Sequence, residues 1–269
     1  MEDLLIAPWQ LALIFFFVAL LYSSIGLAGG SSYTALLSIF GLHFKAIPLI
    51  TLSLNLLVST LGTYNYFRQK HGRLRLVIPF LITSIPMSYV GGSLNLPSTI
   101  FFWVLTLSLV VVVARIYFWK RTALNIRLRK WQQFILALFS GSVLGLVSGI
   151  VGIGGGIYLI PIIIIFRLGT EKEAAACGSL FIWLNSAAGL AARYQYNFID
   201  ISRFWPVVIA VLAGGWIGSH LGSTRLKPKV MEKILGIIII VAIVFLCRKL
   251  FPGFLEFPWY EKLWLRITK

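Results

Sequence analysis

Val151-Gly152-Ile153-Gly154-Gly155-Gly156-Ile157-Tyr158-Leu159-Ile160-Pro161 decides how this chain must fold. The stretch interrupts an apolar segment that begins near Gln133. A run of about 20 apolar residues crosses a bilayer as a helix. Three successive glycines break that helix, and in hydrocarbon an unpaired backbone group costs several kcal/mol. The break must therefore line a cavity or be covered by protein. Three adjacent glycines make no packing ridge, whereas Gly141/Gly145/Gly149 and Gly214/Gly218/Gly222, spaced by four, read as small faces for close helix contact.

The rest of the chain agrees with a membrane setting. Of 269 residues 59% are hydrophobic and only 12% charged, with mean hydropathy +0.91. Further apolar runs include Leu11–Leu21, Val104–Ala114 and Ile234–Leu246. Soluble classes are excluded, and an all-α polytopic membrane protein is expected. The net charge of +16 would suggest nucleic acid on a soluble protein. Here the cations cluster between apolar runs, at Arg68–Arg75, Arg115–Lys130 and Arg225–Lys233, as the positive-inside rule requires. No nucleic-acid partner is expected. Cys177 and Cys247 lie in apolar runs without metal-type spacing, so no cofactor or metal is expected. Met1-Glu2-Asp3 lacks the basic start of a cleavable signal peptide.

A walk along the chain places helices at about Trp9–Gly26, Ser31–Leu42, Ala46–Phe67, Leu74–Leu94 and Ser98–Trp119. A second set follows at Gln133–Val151, Ile157–Phe166, Glu173–Tyr194, Ser202–Leu221 and Val230–Leu246. The pattern recurs. Gly26, Gly29 and Gly30 fall on Gly152, Gly155 and Gly156 at an offset of 126, Pro79 on Pro206 at 127, and Pro97 on Pro228 at 131. Asn55, Tyr64 and Tyr66 fall on Asn185, Tyr194 and Tyr196 at 130. Two homologous repeats are expected, each with four to five membrane segments including a glycine-broken, short or re-entrant helix. The expected layout is a first membrane repeat over 1–120, a basic cytoplasmic linker over 121–132, a second repeat over 133–250 and an amphipathic tail over 251–269. Matching breaks in two halves point to a secondary transporter and its substrate site. Charge counting places the first two basic clusters in the cytoplasm but leaves eight or ten crossings, and parallel or inverted repeats, open.

Each break precedes a short helix whose first turn offers unpaired N–H groups and the positive end of a dipole. The expected anion site comprises Gly29, Gly30, Ser31, Ser32 and Tyr33 at one break, and Gly154, Gly155, Gly156 and Tyr158 at the other. Asn55, Asn185 and Ser186 join them as polar groups inside apolar helices, the two asparagines on a shared repeat interface. An intramembrane amide is either an anion ligand or interhelical glue. Arg193 is the cationic candidate, its guanidinium either matching an oxyanion or snorkelling to headgroups. None of the eight acidic residues lies deep in a span, which argues against a carboxylate proton relay. A Ser–His membrane enzyme is the rival class, but no G-x-S-x-G is present and His43, His71 and His220 are scattered.

Gly154-Gly155-Gly156-Ile157-Tyr158-Leu159-Ile160-Pro161 resembles the GGGxxxxP signature of the TauE/SafE-type sulfite exporter family, and the resemblance extends from about Leu11 to Leu246. It implies transport of a small sulfur-containing anion, sulfite or an organosulfonate, outward across the cell (inner or plasma) membrane, with the lipid bilayer as surroundings. The first half departs from the signature, having no proline at the position matching Pro161. An anion channel or uptake carrier of the same fold remains an alternative, and homo-oligomeric assembly stays open.

Overall fold

The computed structural model describes residues 7–118, 129–195 and 204–224, with 239–241, 243–247 and 250. The described chain is helical: α1 (Pro8–Ser23), α2 (Gly30–Ile39), α3 (Ala46–Arg68), α4 (Leu74–Ser93), α5 (Ser98–Phe118), α6 (Lys130–Val151), α7 (Gly156–Ile165), α8 (Glu171–Tyr194) and α9 (Trp205–Thr224). Their ends fall within three residues of the sequence expectation. The 225–233 cluster, most of the expected Val230–Leu246 helix, most of the linker and the 251–269 tail lie outside the described residues.

Local chemistry explains several boundaries. Thr170 caps α8: its hydroxyl accepts from the Glu173 N–H at 3.3 Å, and Glu173 Oε2 accepts from the Thr170 N–H at 2.7 Å. That reciprocal box starts α8 at Glu171, two residues ahead of the expected start. Gly152 ends α6 at φ +84, the left-handed conformation that glycine adopts without a Cβ penalty.

Five helices, α3, α4, α6, α8 and α9, are long and apolar enough to cross a membrane. They expose large apolar side chains such as Ile82, Phe139 and Ile209 while burying Asn55, Ser84, Ser148 and Asn185. This inside-out polarity suits a hydrocarbon solvent, where polar groups turn to the bundle interior.

Packing relies on absent side chains. α6 lies on α4 with Gly141, Gly145 and Gly149 against the backbone at Phe80, Ser84 and Ser88. α1 lies on α9 with Gly214, Gly218 and Gly222 against the backbone at Phe16, Leu20 and Ser24. A Cβ at any of these glycines would strike a neighbouring carbonyl. α3 packs against α8, and α4 against α8, with Ser88 Oγ donating to the Asn185 carbonyl at 2.7 Å.

The bundle has two distinguishable ends. At the basic end, Arg73 Nη1 lies 3.5 Å from Glu173 Oε1, and Lys172 Nζ donates to the Ser223 carbonyl at 3.0 Å. This end gathers the close of α3, the starts of α4 and α8, and the close of α9. The opposite end brings together Lys45 ahead of α3, Ser93 to Leu96 at and beyond the close of α4, and Arg193 near the close of α8. Both α2 and α7 have 10 residues, about 15 Å or half a hydrocarbon core. α2 starts beside Asn55 in mid-α3 and leads toward the opposite end, where α3 begins. α7 starts beside Gly178 and Ile182 in mid-α8 and leads toward the basic end, where α8 begins.

Candidate functional site

The two glycine breaks meet in the interior. Asn55 Nδ2, on the middle of α3, donates to the Gly152 carbonyl at 3.0 Å, although the two residues belong to different halves. A Cβ on Gly30 would land on both the Asn55 amide and the Ile153 carbonyl, and one on Gly154 would stand 3.2 Å from Asn55 Nδ2. The first residue of α2 and the Gly152–Gly154 break ahead of α7 therefore meet at one polar side chain, fully buried. Gly29 and Gly155 occupy the N-cap positions at φ +112 and +73, where a side chain would strain the backbone. The unpaired N–H groups and positive dipole end of a helix N-terminus favour an anion.

The polar residues around this point have unequal freedom. Ser31 and Ser32 are both within hydrogen-bond distance of the Tyr22 hydroxyl, at 2.7 and 2.8 Å. Tyr33 stacks on Phe15 at 4.6 Å between ring centroids, and its buried hydroxyl has no protein partner. Asn55 commits one amide hydrogen to Gly152, while its Oδ1 is buried without a partner. Gly156 packs against Ile182 and the Gly178 carbonyl. Tyr158, by contrast, donates its hydroxyl to the Ser108 carbonyl of α5 at 2.9 Å.

Asn55 and Asn185 each bond to a residue of the other half of the chain, but the neighbours they meet differ. The amide nitrogen of Asn185 donates to Ser84 Oγ at 3.0 Å and to the Phe181 carbonyl at 2.8 Å, so both hydrogens bond within the protein. Its amide hydrogens serve α4 and its own helix, and its Oδ1, like that of Asn55, is buried without a partner. The reason for the different neighbours is rotational: at 100° per residue, a shift of a few positions along a helix turns a side chain to another neighbour. Ser186, the next residue, is buried with an unpartnered hydroxyl. Arg193 neither snorkels nor reaches the convergence point. Its Nη2 donates to the Gly149 and Ile150 carbonyls at 2.8 and 2.7 Å, capping the last turn of α6.

Tyr22, Gly152 and Lys45 were not singled out as site residues by the sequence. Gly152 was within the recognised break, but nothing local marks Tyr22, one turn before the first break, as the partner of two serines. The enzyme reading, for which Ser179 and His220 are the available pair, loses its geometry: Ser179 Oγ donates to the Gly26 carbonyl at 3.0 Å, and His220 is exposed. Among the described residues no group of three or more His, Cys, Asp or Glu is placed to hold a metal ion.

Apolar crossings, a polar interior and helices broken at a buried glycine junction define a multi-pass membrane protein of the transporter class. Comparison with known proteins gives its family. The sulfite exporter TauE/SafE family matches residues 11–246, and the chain belongs to that family. It is 37% identical over 235 residues to the probable membrane transporter protein y4hK of Sinorhizobium fredii, covering 86% of this chain and 95% of that one. It is also 28% identical over 111 residues to the probable membrane transporter protein YunE of Bacillus subtilis, covering 41% of this chain and 39% of that one. No solved structure matches the chain. The protein is accordingly a membrane transporter and not an enzyme.

Proposed function

We propose that this transporter exports a small sulfur-containing anion, sulfite or an organosulfonate, across the cytoplasmic membrane. The anion binds where the N-termini of α2 and α7 converge. The family name supports the substrate class. The meeting of the two breaks supports the site: Gly30 at the start of α2 and Gly154 just ahead of α7 both lie against Asn55. The donors offered there are the first-turn N–H groups of the two short helices, the second amide hydrogen of Asn55 and the Tyr33 hydroxyl. Asn185, Ser186 and Arg193 act at a distance from that point, and Tyr158 positions α7 against α5.

The same reading takes 1–120 and 133–250 as inverted repeats, joined by the cytoplasmic linker 121–132 and followed by the interfacial tail 251–269. Helix pairing supports it: α1 packs on α9 as α6 packs on α4, α2 on α3 as α7 on α8, and α3 on α9 as α8 on α4. Residue contacts support a register of 126–127 throughout. Pro48 meets Gly152 as Ala175 meets Gly26, and Gly91 meets the Leu146 carbonyl as Gly218 meets that of Leu20. Tyr66 donates to the Ser24 carbonyl as Arg193 donates to that of Ile150. In this register Asn55 corresponds to Ile182 and Asn185 to Val58, so the asparagine match at 130 is replaced. The half-helices α2 and α7, running to opposite ends, fit inversion with five crossings per half.

Export of an anion from a negative interior gains about 2.3 kcal/mol per charge per 100 mV. The test is sulfite flux from proteoliposomes holding the full chain, at a clamped potassium-diffusion potential. Saturable flux that follows voltage and disappears in Asn55→Leu is the expected result. Flux that follows an imposed pH gradient at constant voltage overturns the mechanism.

A further inference from the structure

A second polar feature lies away from the convergence point. At the opposite end of the bundle a cavity of about 400 Å³ is lined by Phe44, Lys45, Pro48, Ser93, Asn95 and Arg193, among others. Two of its lining residues are cations and none is acidic. Lys45 and Asn95 are exposed, so the cavity reaches the surface, while Arg193 is only 9% exposed and its Nε has no protein partner. The inner wall reaches the second break, because Ile150 lines the cavity and Pro48 packs on Gly152. A cavity wall that holds a guanidinium and an ammonium group and no carboxylate favours an oxyanion.

The basic end is arranged differently. Lys172, 127 positions after Lys45, donates to the Ser223 and Thr224 carbonyls at 3.0 and 3.4 Å. His71 Nε2 stands 3.3 Å from that same Ser223 carbonyl, and the Tyr66 hydroxyl donates to Ser24. There the lysine bridges α8 to the end of α9, whereas Lys45 faces the cavity beside the end of α4.

We propose that this cavity is an oxyanion-binding vestibule, with Lys45 and Arg193 as its cationic ligands and a sulfonate or sulfite-type group as its occupant. It is the antechamber through which the anion passes between the outer medium and the convergence point. The proposal rests on the transporter reading but names a separate site. Arg193 holds the close of α6 through Nη2 and keeps its Nε buried without a protein partner in the cavity wall; Lys45 is exposed at the mouth.

The test uses the full chain in lipid nanodiscs, with a bimane label on Leu94→Cys at the cavity rim in a Cys247→Ser background. Iodide, an anionic quencher, is compared with neutral acrylamide. Iodide is expected to quench more strongly than acrylamide relative to free dye, and methanesulfonate, but not neutral dimethyl sulfone, is expected to protect. Lys45→Gln should lower iodide quenching by about threefold, the size expected when one charge is removed at short range in a partly screened site. Arg193→Gln should do the same; Arg193→Lys, which keeps the charge, guards against loss of the α6 cap. Equal quenching by both agents, or quenching unchanged in Lys45→Gln, overturns the vestibule. Asn55→Leu separates the two sites: it should abolish flux and leave the quenching intact. Lost selectivity with preserved, Asn55-dependent flux removes the vestibule alone, and the reverse pattern removes the convergence site alone.

Discussion

Two asparagines with the same chemistry meet different neighbours. Asn55 touches both breaks, whereas Asn185 has both amide hydrogens bonded to Ser84 and Phe181. Asn185→Ala is therefore expected to cost about 1 kcal/mol of stability, the scale of an interhelical hydrogen bond in a membrane protein, and to keep sulfite flux. Asn55→Ala is expected to remove flux. Thermal unfolding in detergent and proteoliposome flux measure the two effects. Gly155 presents a sharper constraint, since its φ of +73 penalises any Cβ by about 1–2 kcal/mol and its neighbour Phe181 leaves no room. Gly155→Ala should lower the unfolding temperature and the flux together. The place of Gly155 at the break was legible from the three adjacent glycines; the different neighbours of the asparagines were not, because hydropathy does not record which way a helix is rotated.

Among the elements, paired helices hold the bundle at close range. Gly145 approaches the α4 backbone at Ser84, and Gly218 approaches the α1 backbone at Leu20. Gly145→Leu and Gly218→Leu each force a helix pair apart, at a cost of about 1–3 kcal/mol or more for overpacking. Loss of monodispersity or a lowered midpoint of thermal unfolding checks this. Val143→Ala, on the exposed face of α6, serves as the control and should change stability by less than about 0.5 kcal/mol. The spacing-four glycines announced these contacts in the sequence. Their partners were hidden, because a small-residue face says that something comes close without saying which helix.

For the whole molecule, the two ends differ in charge and in closure. The positive-inside rule predicts that the Arg68–Arg75 end faces the cytoplasm and the Lys45 end faces outside. In intact cells a membrane-impermeant thiol reagent is expected to label Asn95→Cys but not Arg68→Cys, in a Cys247→Ser background. Labelling only of Arg68→Cys would falsify the orientation. Lys172→Gln removes the link between α8 and the end of α9, so it should increase labelling of a cysteine at Tyr66 from the cytoplasmic side of inverted vesicles.

The sequence by itself determined the membrane class, the helix segments, the positions of the breaks and the family resemblance. Each of these rests on local quantities: the length of an apolar run, the conformational freedom of glycine, the clustering of cations. Only the tertiary structure decided that the breaks converge on Asn55, that Asn185 serves α4, and that Arg193 closes α6 beside an open cavity. Those outcomes depend on the depth and rotation of helices packed from distant parts of the chain, and a shift of three residues reverses them.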